Sequence, residues 1–135
     1  MLPLRTLTRP KSPNHYLIAP AGFGSAPADE EAPEFPLSGR RLFEIVRRVA
    51  RRQRRTAVLE EAAEQMAIEA RQRTPFLRFK DDVTIEVVPL GANRSTLALY
   101  SRSRVGYADF GVNRRRARAW LKEIARNAGA DQEAS

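Results

Sequence analysis

A chain of 135 residues with 24 Lys and Arg against 16 Asp and Glu carries a formal charge of +8 and is sized for a single domain with its own apolar core. It has no cysteine and one histidine, His15, so disulfides, thiolate metal sites, cysteine nucleophiles and multi-histidine metal centres are excluded, and no cofactor or metal is expected. The basic excess is mostly arginine, whose planar fork suits carboxylate and phosphate, so the expected partners are anionic: a small molecule or an anionic polymer.

Residues 1–37 are rich in Pro, Gly and Ala and read as an extended arm and linker. Met1 to Ser12 has no apolar run long enough for a secretory signal, and no segment approaches a membrane span, which reads as cytoplasmic. Within the arm, His15 to Ala19 is expected to be extended, docking Tyr16 and Ile18 on the domain. The acidic cluster from Asp29 to Glu34 reads as a solvated linker. Ser38 is a good N-cap, and Leu42, Ile45, Val46 and Val49 recur at helical spacing, with Arg47, Arg48, Arg51 and Arg52 largely on the opposite side. Thr56 to Arg73 is full of helix formers, yet Met66, Ile68 and Ala70 alternate with Ala67, Glu69 and Arg71. We read two strands turning near Ala62 and Ala63.

Val83, Ile85 and Val87 alternate as a half-buried strand, Pro89 to Arg94 reads as a turn, and Ser95 to Ser103 alternates again with Leu97 and Leu99 on one face. Asn113 is placed as the cap of a closing helix in which Ala117, Trp120, Leu121 and Ile124 share a face. Residues 127–135 read as a disordered polar tail. The expected fold is α+β: a single domain over 38–126, in the order helix, four strands, helix, with a four-stranded antiparallel sheet covered by two helices.

The densest polar run spans Ser101 to Arg116. It reads Ser-Arg-Ser-Arg-Val-Gly-Tyr-Ala-Asp-Phe-Gly-Val-Asn-Arg-Arg-Arg. Together with Ser12-Pro13-Asn14 and the Phe79-to-Asp82 element, it resembles the signature of the domain of unknown function 1499 family, uncharacterised bacterial and plastid proteins, over roughly residues 12–126. The resemblance implies extended structure over 56–73 and brings no established activity. It also implies an envelope setting where the true start lies upstream, because many relatives begin with a hydrophobic signal or anchor. Some relatives have cysteine after Ser-Pro-Asn, where this chain has His15.

On a strand, Arg102 and Arg104 share one face and Ser101 and Ser103 the other. Two readings of the signature follow. In the structural one, the guanidiniums pair with Asp81, Asp82 and Asp109, because buried charge needs partners. In the functional one, Asn113 opens a helix whose free N–H groups attract anions, Gly106 and Gly111 allow close backbone approach, and Arg102, Arg104, Asp109, Asn113 and Arg114 form an anion-receptive corner. No catalytic residue is assigned. Asp81 and Asp82 diverge on a strand, and Ser101 and Ser103 lie in no Gly-x-Ser-x-Gly elbow. The leading expectation is a non-catalytic, envelope-related binding or accessory module. The alternatives are a nonspecific nucleic-acid or anionic-lipid binder acting through the arginines of 40–55, or an enzyme of unrecognised type carried by Asp81, Asp82, Asp109 and the arginines. Sequence-specific reading of nucleic acid is not expected, because exposed aromatics for base stacking are not evident.

Overall fold

Ser38 opens the first helix, α1 (Gly39–Arg52), as its composition demands: its side-chain oxygen accepts the Arg41 backbone N–H at 3.2 Å. The computed structural model describes residues 1–10, 13–75, 79–104 and 111–134. Along them run β1 (His15–Ala19), β2 (Glu30–Glu31), α1, β3 (Thr56–Ala62), β4 (Ala67–Arg73), β5 (Lys80–Gly91), β6 (Arg94–Ser103) and α2 (Val112–Ala134), after a short 3-10 turn at Leu4–Thr6.

The architecture is α+β with two helices, as the periodicities indicate, and Thr56 to Arg73 is indeed a pair of strands despite its helix-forming composition. The sheet, however, has six strands rather than four, in the order β2-β1-β6-β5-β4-β3, and it is mixed because β1 and β2 run parallel. The extra strands come from the arm. β1 pairs with the outer side of β6 (His15 opposite Arg102, Ile18 opposite Leu99), and β2 adds to β1. An open β6 edge offers unpaired N–H and C=O groups, and β1 satisfies them.

The acidic linker is likewise structured. Glu30 and Glu31 form β2, while Asp29, Glu30 and Glu34 take ion pairs from Arg9, Arg118 and Arg94. The expected turn at Pro89 to Arg94 is shorter, since β5 continues to Gly91. The polar stretch from Asn127, read as a tail, continues α2 to Ala134.

Residues paired across the strands divide between two faces. The inner face carries Ile68, Ala70, Val83, Ile85, Val87, Leu97 and Leu99. Phe43, Val46, Ala117, Trp120 and Ile124 of the two helices cover it, all at 4% exposure or less. Each large aliphatic or aromatic side chain buried this way contributes about 1.5–3 kcal/mol. The outer face is apolar only toward one end, where Leu4 and Leu7 of the arm lie over Leu17, Ala19, Ala98 and Tyr100. Gly24 locks that arm. Its N–H-bearing neighbour Ser25 donates to the Arg5 carbonyl at 3.1 Å, and a Cβ on Gly24 would stand 2.5 Å from the Arg5 oxygen. Toward the other end of the sheet, both faces turn polar.

Candidate functional site

The alternation that sends Val83, Ile85 and Val87 inward also sends Asp81 inward, and sends Asp82 and Thr84 outward. The two neighbouring aspartates therefore build two separate clusters, one on each face.

On the inner face, Arg116 Nη2 donates to Asp81 Oδ2 at 2.6 Å, with side-chain exposures of 6% and 2%. Its Nε donates to Gln72 Oε1 at 2.6 Å, and its Nη1 to Asn113 Oδ1 at 3.0 Å and Ser101 Oγ at 3.2 Å. Asn113 is the hub of this seam. Its Oδ1 also accepts from Ser101 Oγ at 2.7 Å, and its Nδ2 donates to Ser103 Oγ at 2.8 Å and to the Asn14 carbonyl at 2.9 Å. Asn113 is the second residue of α2 rather than the residue before it, and its side chain joins helix, sheet and arm. Gly111 precedes the helix with φ +80°, a conformation that disfavours any side chain, and its carbonyl accepts the Arg115 N–H at 3.0 Å. Among the described residues, every buried side-chain nitrogen and oxygen has a hydrogen-bond partner.

On the outer face, Asp82 is shared by three arginines. Arg71 forks onto it, Nε to Oδ1 at 2.8 Å and Nη2 to Oδ2 at 3.3 Å; Arg104 Nη1 donates to Oδ2 at 3.2 Å; and Arg102 Nη2 lies 3.8 Å from Oδ2. Arg102 also donates to Glu69 Oε1 at 3.0 Å and Thr84 Oγ1 at 3.1 Å, with its guanidinium 5.5 Å from the Tyr100 ring centre. Burial alone would raise the Asp82 carboxyl pKa. The hydrogen bonds from Arg71 and Arg104, with the charges of Arg71 and Arg102, outweigh it and lower the pKa below the ordinary carboxylate value. Next along the same strands, Arg73 lies directly opposite Lys80, and the Arg104 N–H donates to the Lys80 carbonyl at 3.3 Å. This end of the outer face thus assembles five cations, Arg71, Arg73, Lys80, Arg102 and Arg104, around two carboxylates, Asp82 and Glu69.

The structure brings Arg102 and Arg104 together, and separately brings Ser101, Ser103 and Asn113 together with Asp81, with the sheet between the two groups. Arg114 is exposed on α2; burial would raise the Glu30 carboxyl pKa, but hydrogen bonds from Arg118 and Tyr16, with the charges of Arg118 and Arg114, bring it below the ordinary value. Gly106 and Asp109 lie outside the described residues. Asp81 and Asp82 do not converge in one pocket, and each is covered by arginine. Two of the arginines in these clusters, Arg71 and Arg116, were not among the candidate site residues. Arg71 belongs to a strand that the signature does not contain. Arg116 was legible in the i+4 row Arg116, Trp120, Ile124, Ala128, which places it on the buried stripe of α2.

On α1, Arg47 pairs with Glu44 and Glu61, and Arg51 with Glu61. Among the described residues, no group of three or more acidic or histidine side chains is arranged to hold a metal ion, and no helix is long and apolar enough to cross a membrane.

Fold and clusters together define a basic α+β module in which two helices cover one face of a mixed sheet. The chain belongs to the family described as protein of unknown function DUF1499, whose model matches residues 7–124. Its fold is similar to that of a di-domain aromatase/cyclase, BexL, from the BE-7585A biosynthetic pathway, with a TM-score of 0.55 and 14% identity; the match covers 73% of this chain and 45% of that one. The chain thus spans less than half the length of that protein. The Zhui aromatase/cyclase of Streptomyces sp. R1128 also matches, at 12% identity and a TM-score of 0.40, over 86% of each chain. No functionally curated protein matches it.

Proposed function

We propose that this protein is a non-catalytic binding module that takes an anionic group on its outer sheet face, between Arg71, Arg73, Lys80, Arg102 and Arg104. The observation that carries this reading is the Arg73–Lys80 pair. Like charges placed directly opposite each other on neighbouring strands are destabilising, and this pair extends a cluster already richer in cations than in carboxylates. Neither side chain has a carboxylate partner among the described residues. An incoming carboxylate or phosphate relieves that repulsion and takes bidentate bonds from arginine. Arg104, whose side chain is 53% exposed and holds Asp82 by a single bond, is free to turn toward it.

The arm and the body act as one unit in this reading, because β1 is the strand that borders β6. The inner seam of Asn113, Arg116 and Asp81 holds the start of α2 against the opposite face of the sheet and takes no part in the binding. The α1 arginines are the alternative surface for nucleic acid or lipid, where Arg47 and Arg51 are already paired with Glu44 and Glu61.

The test is calorimetric titration of the whole chain with inorganic pyrophosphate at low ionic strength. Saturable binding, weakened about tenfold by a Lys80→Ala/Arg104→Ala double substitution, is the expected result. Heats of dilution alone, or binding indifferent to the double substitution, would overturn the reading.

A further inference from the structure

Beside the cationic cluster the outer face carries a groove of about 530 Å³, within the size range of small-ligand sites. Its floor and walls include Arg55, Ala57, Leu59, Arg71, Arg73 and Pro75. Two observations specify what it fits. The first is apolar. Leu59 is 46% exposed on the lining, and Phe79, 48% exposed, is tied to the rim because its backbone N–H donates to Thr74 Oγ1 at 2.8 Å and its carbonyl accepts the Thr74 N–H at 2.9 Å. These are two of only four large apolar side chains exposed among the described residues.

The second is charge. Arg55 is fixed at the turn into β3 with φ +54°, and its Nε donates to the Arg73 carbonyl at 3.1 Å. Arg55 and Arg73 have no carboxylate partner among the described residues, and Arg71 reaches from the groove to Asp82. The end at Arg55 and Arg73 is therefore cationic, while Ala57 and Leu59 continue the lining along β3 as apolar side chains. Exposed apolar surface rimmed by charge marks a binding surface.

We infer that this groove takes a small amphipathic anion, a single carboxylate or phosphate head on a short apolar body, with the head between Arg55, Arg71 and Arg73 and the body over Leu59 and Ala57. The inference rests on the anion-binding reading above and names its ligand class. Most of the lining comes from β3 and β4, with Arg55, Thr74 and Pro75 just beyond their ends, so the occupant lies on the sheet. A peptide adding to the free edge of β3 would instead run along Thr56–Ala62, where the pairing with β4 is interrupted between Val58 and Glu60 and the strand carries Glu60 and Glu61.

The experiment compares methyl phosphate with n-octyl phosphate, both below any micellar concentration, by calorimetric titration of the full chain, its Leu59→Ser variant and a Leu90→Ser control. Leu90 is exposed at the far end of β5, 39% accessible, so neither substitution disturbs the core. The expected result is at least about tenfold tighter binding of octyl than of methyl phosphate, a preference that Leu59→Ser removes and Leu90→Ser leaves intact. Equal affinities for the two phosphates would overturn the amphiphile while leaving the anion site standing, and no binding of either phosphate or of pyrophosphate would remove both. A preference for the octyl chain that survives Leu59→Ser would overturn the groove as its location. So would binding seen only with phosphatidylglycerol vesicles, or only with an acidic peptide, and not with free octyl phosphate.

Discussion

Asp81 and Asp82 are chain neighbours with the same chemistry, and they serve opposite ends. Asp81 faces the helices in a buried seam, where one arginine holds one carboxylate and its other two nitrogens donate to Gln72, Asn113 and Ser101. Asp82 faces outward, where three arginines crowd one carboxylate and further cations stand beside them. The inner seam is balanced and closed, whereas the outer patch is unbalanced and half-open. On the proposed function, a guanidinium cluster is structural where carboxylates match it, and receptive where they fall short.

Asp81→Ala is the most damaging way to break this contrast. It strands the buried Arg116 charge, and removing one partner of a buried pair costs about 3–5 kcal/mol. Urea denaturation is expected to report that loss, with pyrophosphate affinity unchanged in the fraction that stays folded. A loss below about 1 kcal/mol would mean the seam is not the fastening described.

Asp82 sharpens the contrast through pH. Its carboxyl pKa is lowered in the folded protein relative to the ordinary 3.8, so the unfolded chain takes up the proton first. The stability it supplies is present above about pH 4 and is lost as the pH falls through the folded value below that. The stability difference between the native chain and Asp82→Asn is therefore expected to be about 2 kcal/mol at neutral pH and to shrink below pH 4. A difference that grows on acidification contradicts the assignment.

The smallest stability effect is expected from Arg104→Ala, at about 0–1 kcal/mol, because its side chain is half exposed. Its effect on pyrophosphate binding should exceed its effect on thermal melting. A variant that melts early and binds normally would make Arg104 a structural residue.

Much of the fold was legible in the sequence. The helical spacing of Leu42, Ile45, Val46 and Val49 and the alternation of Val83, Ile85 and Val87 fix α1 and β5, because each periodicity has one way to bury its apolar set. The arm was not legible as sheet. Glu30 and Glu31 have no strand pattern, and their pairing depends on a β6 edge that only tertiary structure creates. The opposition of the Ser101/Ser103 pair to the Arg102/Arg104 pair also followed from alternation. What alternation within one strand could not give is register. Only the alignment of β4, β5 and β6 sets Arg71 beside Asp82 and Arg73 opposite Lys80, and sends Asn113 to the face away from Arg102. Arg102 and Arg104 on one face, and Ser101, Ser103 and Asn113 on the other, therefore belong to two clusters.

The most direct measurement is a two-dimensional NMR titration of the whole chain with inorganic pyrophosphate at low salt. Saturable shifts are expected at Arg71, Arg73, Lys80, Arg102 and Arg104, with the side-chain amide of Asn113 and the guanidinium of Arg116 unmoved. Shifts centred on Asn113 and the first turn of α2, with the β4–β5 residues silent, would contradict the proposed function.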